Sequence, residues 1–88
     1  MQRYNFFYNY TRLNSFEKGW SQRRVMDEEI IRSEIMSVCR INNRNSWYGR
    51  LKGYVIPRVD EKEAIDAIFA ARGITDVWGG LESETVNN

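Results

Sequence analysis

The sequence predicts a small α+β domain: an antiparallel sheet of three or four strands with two helices on one face. Three observations lead there. Residues 3–11 alternate in the two-residue period of a strand. Residues 27–41 and the stretch opening at Asp60 carry helical periodicity, with acids in their first turns. Residues 46–56 and 74–78 read as further strands bounded by turn residues. The order is β-α-β-α-β, or β-α-β-β-α-β if 46–56 folds back as a hairpin, which is the ferredoxin-like plan. Residues 1–80 are expected to form this single domain, and 81–88 a flexible acidic tail.

In the first predicted strand, Tyr4, Phe6, Tyr8 and Tyr10 point one way, and Arg3, Asn5, Phe7, Asn9 and Thr11 the other. Residues 12–24 show no period and read as a long loop that Phe16 and Trp20 can anchor. Over 27–41, Ile30, Ile31, Ile35, Val38, Cys39 and Ile41 share an arc of about 180° at helical spacing. Glu28 and Arg32 are ordered for an i,i+4 pair. Residues 42–45 form a turn-rich break. In 46–56, Trp47, Leu51 and Val55 share one face with two glycines, and Tyr48, Arg50, Lys52, Tyr54 and Ile56 share the other. The second helix opens with an Asp60/Glu63 capping box and a staple from Val59 to Ala64. Ile65, Ile68 and Phe69 form its buried stripe, and Gly73 is placed to end it.

At 88 residues, one core fits and two do not. A hydrophobic fraction of 42% with 14% aromatics argues against disorder, because these residues repay ordering entropy. The single cysteine, Cys39, excludes an internal disulfide and a cysteine-based zinc site. Neither a signal-peptide core nor a membrane-length apolar run is present, so a cytoplasmic location is expected, with no membrane partner. The net charge of +1 hides a split. Residues 1–58 carry 11 Lys/Arg against 5 Asp/Glu, a balance of +6, whereas 59–88 carry 2 against 7, a balance of −5. Most of the cations are arginine, which stacks on rings and grips carboxylate or phosphate bidentately.

Candidates for catalysis are few. Without histidine the chain lacks the commonest general base and metal ligand. Cys39 falls at the edge of a helical apolar arc, the setting of a core thiol rather than a nucleophile. Asp27, Glu28 and Glu29, and likewise Asp60, Glu61 and Glu63, open helices, where capping and dipole effects account for them. No phosphate-binding glycine loop is present. The chain is therefore expected to be no enzyme and to need no cofactor or metal.

The remaining signal is basic and aromatic. Tyr4, Tyr8, Tyr10 and Arg12 at the first strand, Arg23 and Arg24 in the loop, and Arg44, Tyr48, Arg50, Lys52 and Tyr54 in the middle segment are the expected partner-binding residues. Tyrosine and arginine dominate binding hot spots. Lys52-Gly53-Tyr54 resembles the opening of the RNP1 motif of RNA-recognition motifs, whose element order the split βαβ plan would match. Val55 and Ile56 depart from that motif. The resemblance implies that Tyr54 and the first-strand aromatics could serve as stacking platforms.

By residue type, the chain is similar to small accessory proteins of phages and mobile elements, anti-defence factors among them. That likeness implies a modulator or inhibitor that occupies an acidic surface of a larger protein or nucleoprotein complex. The alternative is a module binding single-stranded RNA or DNA on a tyrosine-rich sheet face. A homodimer joining the basic and acidic parts is a further expectation.

Overall fold

A computed structural model describes residues 13–80, and over them the fold is helical. Four α-helices follow one another: α1 (Glu17–Ser21), α2 (Glu28–Cys39), α3 (Arg44–Lys52) and α4 (Val59–Ala70). A 3-10 turn, Val25–Asp27, leads into α2. No strand occurs among the described residues, so the expected α+β fold, ferredoxin-like or otherwise, is corrected to an all-helical one. The predicted strand at 3–11 and the tail at 81–88 lie outside the described residues.

The largest correction falls on residues 46–56. Trp47 and Leu51 are four apart, a spacing that satisfies a strand face and a helix face equally. Local capping favours the helix. The Asn43 side chain accepts the Ser46 N–H at 2.8 Å, which caps the start of α3. Gly53 ends α3 at φ 85°, with the Tyr54 N–H donating to the Gly49 carbonyl at 2.9 Å. Lys52-Gly53-Tyr54 is thus a helix terminus, not the start of an RNP1 strand.

The 12–24 stretch is not all loop, because it contains α1. Phe16 anchors it as expected, with 1% of its surface exposed. Its backbone N–H and the Ser15 hydroxyl both donate to the Leu51 carbonyl, at 3.2 and 2.8 Å. Residues 74–78 form no strand because their backbone pairs with a helix start instead of a sheet. The N–H groups of Lys18 and Gly19 donate to the carbonyls of Gly79 (3.0 Å) and Val77 (2.9 Å). These are first-turn donors of α1, which have no partner inside the helix. The approach is close: a Cβ on Gly19 would stand 3.1 Å from the Val77 Cα. Ile74 and Val77, not alternate residues, are the buried pair here.

The two long helices lie close to their predicted bounds and pack on one another rather than on a sheet. On α2 the buried positions are Ile31, Ile35 and Cys39, a stripe of i,i+4 spacing narrower than the predicted arc. Ile30, expected inside, is 45% exposed. On α4 Ile65 and Phe69 are buried, and Ile68 packs against them. The α4 cap sits earlier than the predicted Asp60/Glu63 box: Glu61 accepts the Arg58 N–H at 3.0 Å. Arginine has no acceptor, so the reciprocal half of a capping box cannot form. Val59 is exposed instead of stapling the helix. At the other end Gly73 is left-handed at φ 80°, and the Ile74 N–H donates to the Phe69 carbonyl at 3.0 Å.

Phe16 and Phe69, 6.1 Å apart, lie at the middle of the core, with Trp47 edge-on to Phe16 at 5.6 Å. Around this centre, buried carboxylates are matched by cations. Glu61 holds Arg50 at 2.6 Å, Asp27 holds Arg24 at 2.9 Å and Arg72 at 3.5 Å, and Glu17 meets Lys52. Unpaired, each would carry a desolvation cost of several kcal/mol, so the pairing is what permits their burial.

Candidate functional site

Helices α2 and α3 meet at a tight corner. Arg40 ends α2 in the left-handed conformation, at φ 58° and ψ 46°. The Ile41 N–H donates to the Met36 carbonyl at 3.0 Å, which closes the turn. The chain then passes Asn42 and Asn43 into α3. A cleft of about 410 Å³ opens in this corner, within the range of ligand sites. On the α2 side its walls are Arg32 and Met36, one helical turn apart; on the other side they are Arg44, Trp47 and Tyr48. Asn42 and Asn43 close the end.

The cleft is basic, and the described residues place no carboxylate on its walls. Arg32 is partly neutralised by Glu28 at 3.4 Å, and its guanidinium lies 5.7 Å from the Trp20 ring centre. Arg44 is exposed in the first turn of α3, and no ion pair holds it among the described residues. No acid offsets it in that turn. The positive end of a helix favours acids, so Arg44 raises the local potential at a cost in stability. Arg40, also exposed, likewise has no ion pair among the described residues. Tyr48 is 47% exposed. Such a surface can hold an anion and cover a flat or apolar group.

The other sequence-predicted site residues are dispersed. Tyr4, Tyr8, Tyr10 and Arg12 lie outside the described residues. Arg23 stacks 4.1 Å over the Trp20 ring, donates to the Trp20 carbonyl at 2.8 Å and faces Glu28 at 3.6 Å. Arg24 is engaged by Asp27 and Arg50 by Glu61. Lys52 pairs with Glu17, and Tyr54 is 68% exposed in the loop after α3. The structure therefore joins Arg44 and Tyr48 in one cleft and leaves Arg23, Arg24, Arg50 and Lys52 in internal pairs. Arg32, Met36, Asn42, Asn43 and Trp47 were not anticipated in a site. The adjacent Asn42-Asn43-Arg44 run was the available signal, since it joins a helix cap to a cation.

Of the acids singled out in the sequence, Asp27, Glu28, Asp60 and Glu61 are engaged by cations, Glu28 by Arg23 and Arg32 and Asp60 by Arg58 at 3.2 Å, whereas Glu29 and Glu63 have no ion pair among the described residues. Among the described residues no group of His, Cys, Asp and Glu is arranged to hold a metal ion. Cys39 is buried, and burial is the main effect raising its thiol pKa, with Arg50 opposing it. No helix among the described residues is long and apolar enough to cross a membrane. Comparison with protein-family models, with curated proteins and with solved structures gives no match.

Proposed function

We propose that the chain is a non-enzymatic binding protein, a modulator or inhibitor that occupies an acidic surface of a larger protein or nucleoprotein complex through the α2–α3 corner. One observation carries this reading. Arg44 stands exposed and without an ion pair among the described residues, in the same cleft as the half-exposed Tyr48. Elsewhere the buried acids use the neighbouring cations to hold the fold together. Exposed arginine and tyrosine side by side are what interface hot spots are made of. Steering by unpaired cations would raise the association rate with an acidic partner and make it sensitive to salt.

The test is quantitative capture. Immobilised full-length chain and its Arg44→Glu/Tyr48→Ala variant are compared for the proteins each retains from a lysate of the source cells. The expected result is a partner held by the parent chain and lost from the variant, with the variant melting no lower than the parent. The same partners held equally by both would refute the reading.

A further inference from the structure

A second groove, about 340 Å³, runs along α2 and is lined by Glu29, Ile30, Ser33, Arg32 and Met36. It shares Arg32 and Met36 with the corner cleft, so the two join into one trough. Between positions 29 and 36 an α-helix rises roughly 10 Å, the length of about three extended residues.

The trough is graded in character. Arg44 lies at one end, without an ion pair among the described residues. Met36 comes next, and Ile30, 45% exposed, lies roughly 9 Å further along α2. Glu29 is at the other end, exposed and also without an ion pair among the described residues. We infer that this trough docks a peptide segment of the partner, with an acidic side chain at Arg44 and apolar side chains over Met36 and Ile30. The inference rests on the reading above and specifies what the partner presents. A nucleic-acid strand suits the trough less well. Its phosphates repeat along the whole backbone, and those passing beyond Arg32 would meet Glu29 and the apolar Ile30 rather than further cations. A peptide can alternate charge and apolar surface as the trough does.

The experiment is selection of a displayed library of random dodecapeptides on the immobilised full-length chain, repeated on Arg44→Glu and Ile30→Ser. Both substituted side chains are exposed, so the fold should tolerate them. The expected result is an enriched pattern that places an acid near large apolar residues. Arg44→Glu should remove the acid from that pattern, and Ile30→Ser the apolar residue farther from it. For a selected peptide measured singly, Arg44→Glu should weaken binding about tenfold or more. Failure to enrich any pattern, or enrichment of one pattern on all three proteins, would overturn the inference. So would selection of acids with no apolar preference. Binding of a labelled oligothymidylate that Arg44→Glu abolishes, with no peptide enriched, would assign the trough to nucleic acid instead. If the capture experiment succeeds while the selection fails, the corner binds a partner but not in this way.

Discussion

The α4 side of the molecule and the α2–α3 corner use the same residue types in opposite ways. On the α4 side, Arg50, Arg58 and Arg72 each meet an acid, at 2.6, 3.2 and 3.5 Å. The Trp78 Nε1–H donates to Asp66 at 2.8 Å, and Lys62 covers the Trp78 ring at 4.8 Å. Most polar groups there are closed on one another, although the buried Arg72 Nε finds no hydrogen-bond acceptor among the described residues. At the corner, Arg40 holds an unfavourable backbone conformation, Arg44 sits at the wrong end of a helix, and Tyr48 leaves half its ring in water. Local rules are broken there, and no ion pair among the described residues offsets the charge of Arg40 or Arg44. Such breaches concentrate where a surface serves something other than stability. The contrast also changes how the charge split reads. The link from Arg50 to Glu61 and that from Lys18 to Asp76 at 3.4 Å join the basic part to the acidic part within one chain. Complementarity between the halves is therefore partly satisfied internally and argues less for pairing two copies.

If the interior carries the stability, its removal should have the largest effect. Phe69 is 0% exposed and lies against Phe16. Phe69→Ala should cost about 3–5 kcal/mol through lost burial and the cavity left behind. That is much of the total for a domain of this size. Urea denaturation should show the midpoint falling steeply; a shift under 1 kcal/mol would mean that the α2–α4 interface is not the core.

The next effect is that of the buried ion pair. Glu61 accepts from Arg50 and from the Arg58 N–H. Glu61→Ala should cost about 2–3 kcal/mol, because Arg50 is left with little water and no partner. Burial alone would raise the Glu61 pKa, but the bonds from Arg50 and Arg58 outweigh it and hold it below 4.5. A lowered folded-state pKa means that this contribution is present above pH 4.5 and is lost as pH falls through the folded value. The stability difference between parent and Glu61→Ala should therefore be constant near neutrality and narrow in acid. A gap unchanged down to pH 3 would show that the loss comes from packing alone.

The same contrast explains what the sequence made legible. Helices α2 and α4 were readable because each repeats its apolar residues over three turns, with acids at the start and, for α4, Gly73 at the end. Helix α3 was not. It has nine residues, a glycine in the middle and only Trp47 and Leu51 buried, so its pattern suited two periods equally. The Asn43 cap was the deciding local cue. Residues 74–78 misled for another reason: an extended segment can satisfy its backbone on a helix start, and composition does not reveal which. At the site, Arg44 and Tyr48 were readable by residue type. Arg32 and Met36 were not, because they belong to the cleft only through the turn at Arg40, which brings the outer face of α2 against the start of α3.

That turn gives a smaller prediction of opposite sign. A side chain at φ 58° carries a cost that glycine does not. Arg40→Gly should stabilise the chain by about 0.5–1 kcal/mol, read as a rise in the urea midpoint at unchanged slope. A loss of stability would mean that the Arg40 side chain contributes packing that outweighs its strained backbone.

The smallest effect on stability separates the two regions best. Arg44 opposes the positive end of α3, and Arg44→Glu places a favourable charge there. The expected gain is about 0.3–1 kcal/mol at low salt, shrinking as salt is added. At Glu61 the removal of a charge lowers stability, whereas at Arg44 its reversal should raise it while abolishing capture of the partner. A cation that costs the fold energy and is needed for binding belongs to the surface and not to the core. If Arg44→Glu instead destabilises the chain, Arg44 supports the corner itself.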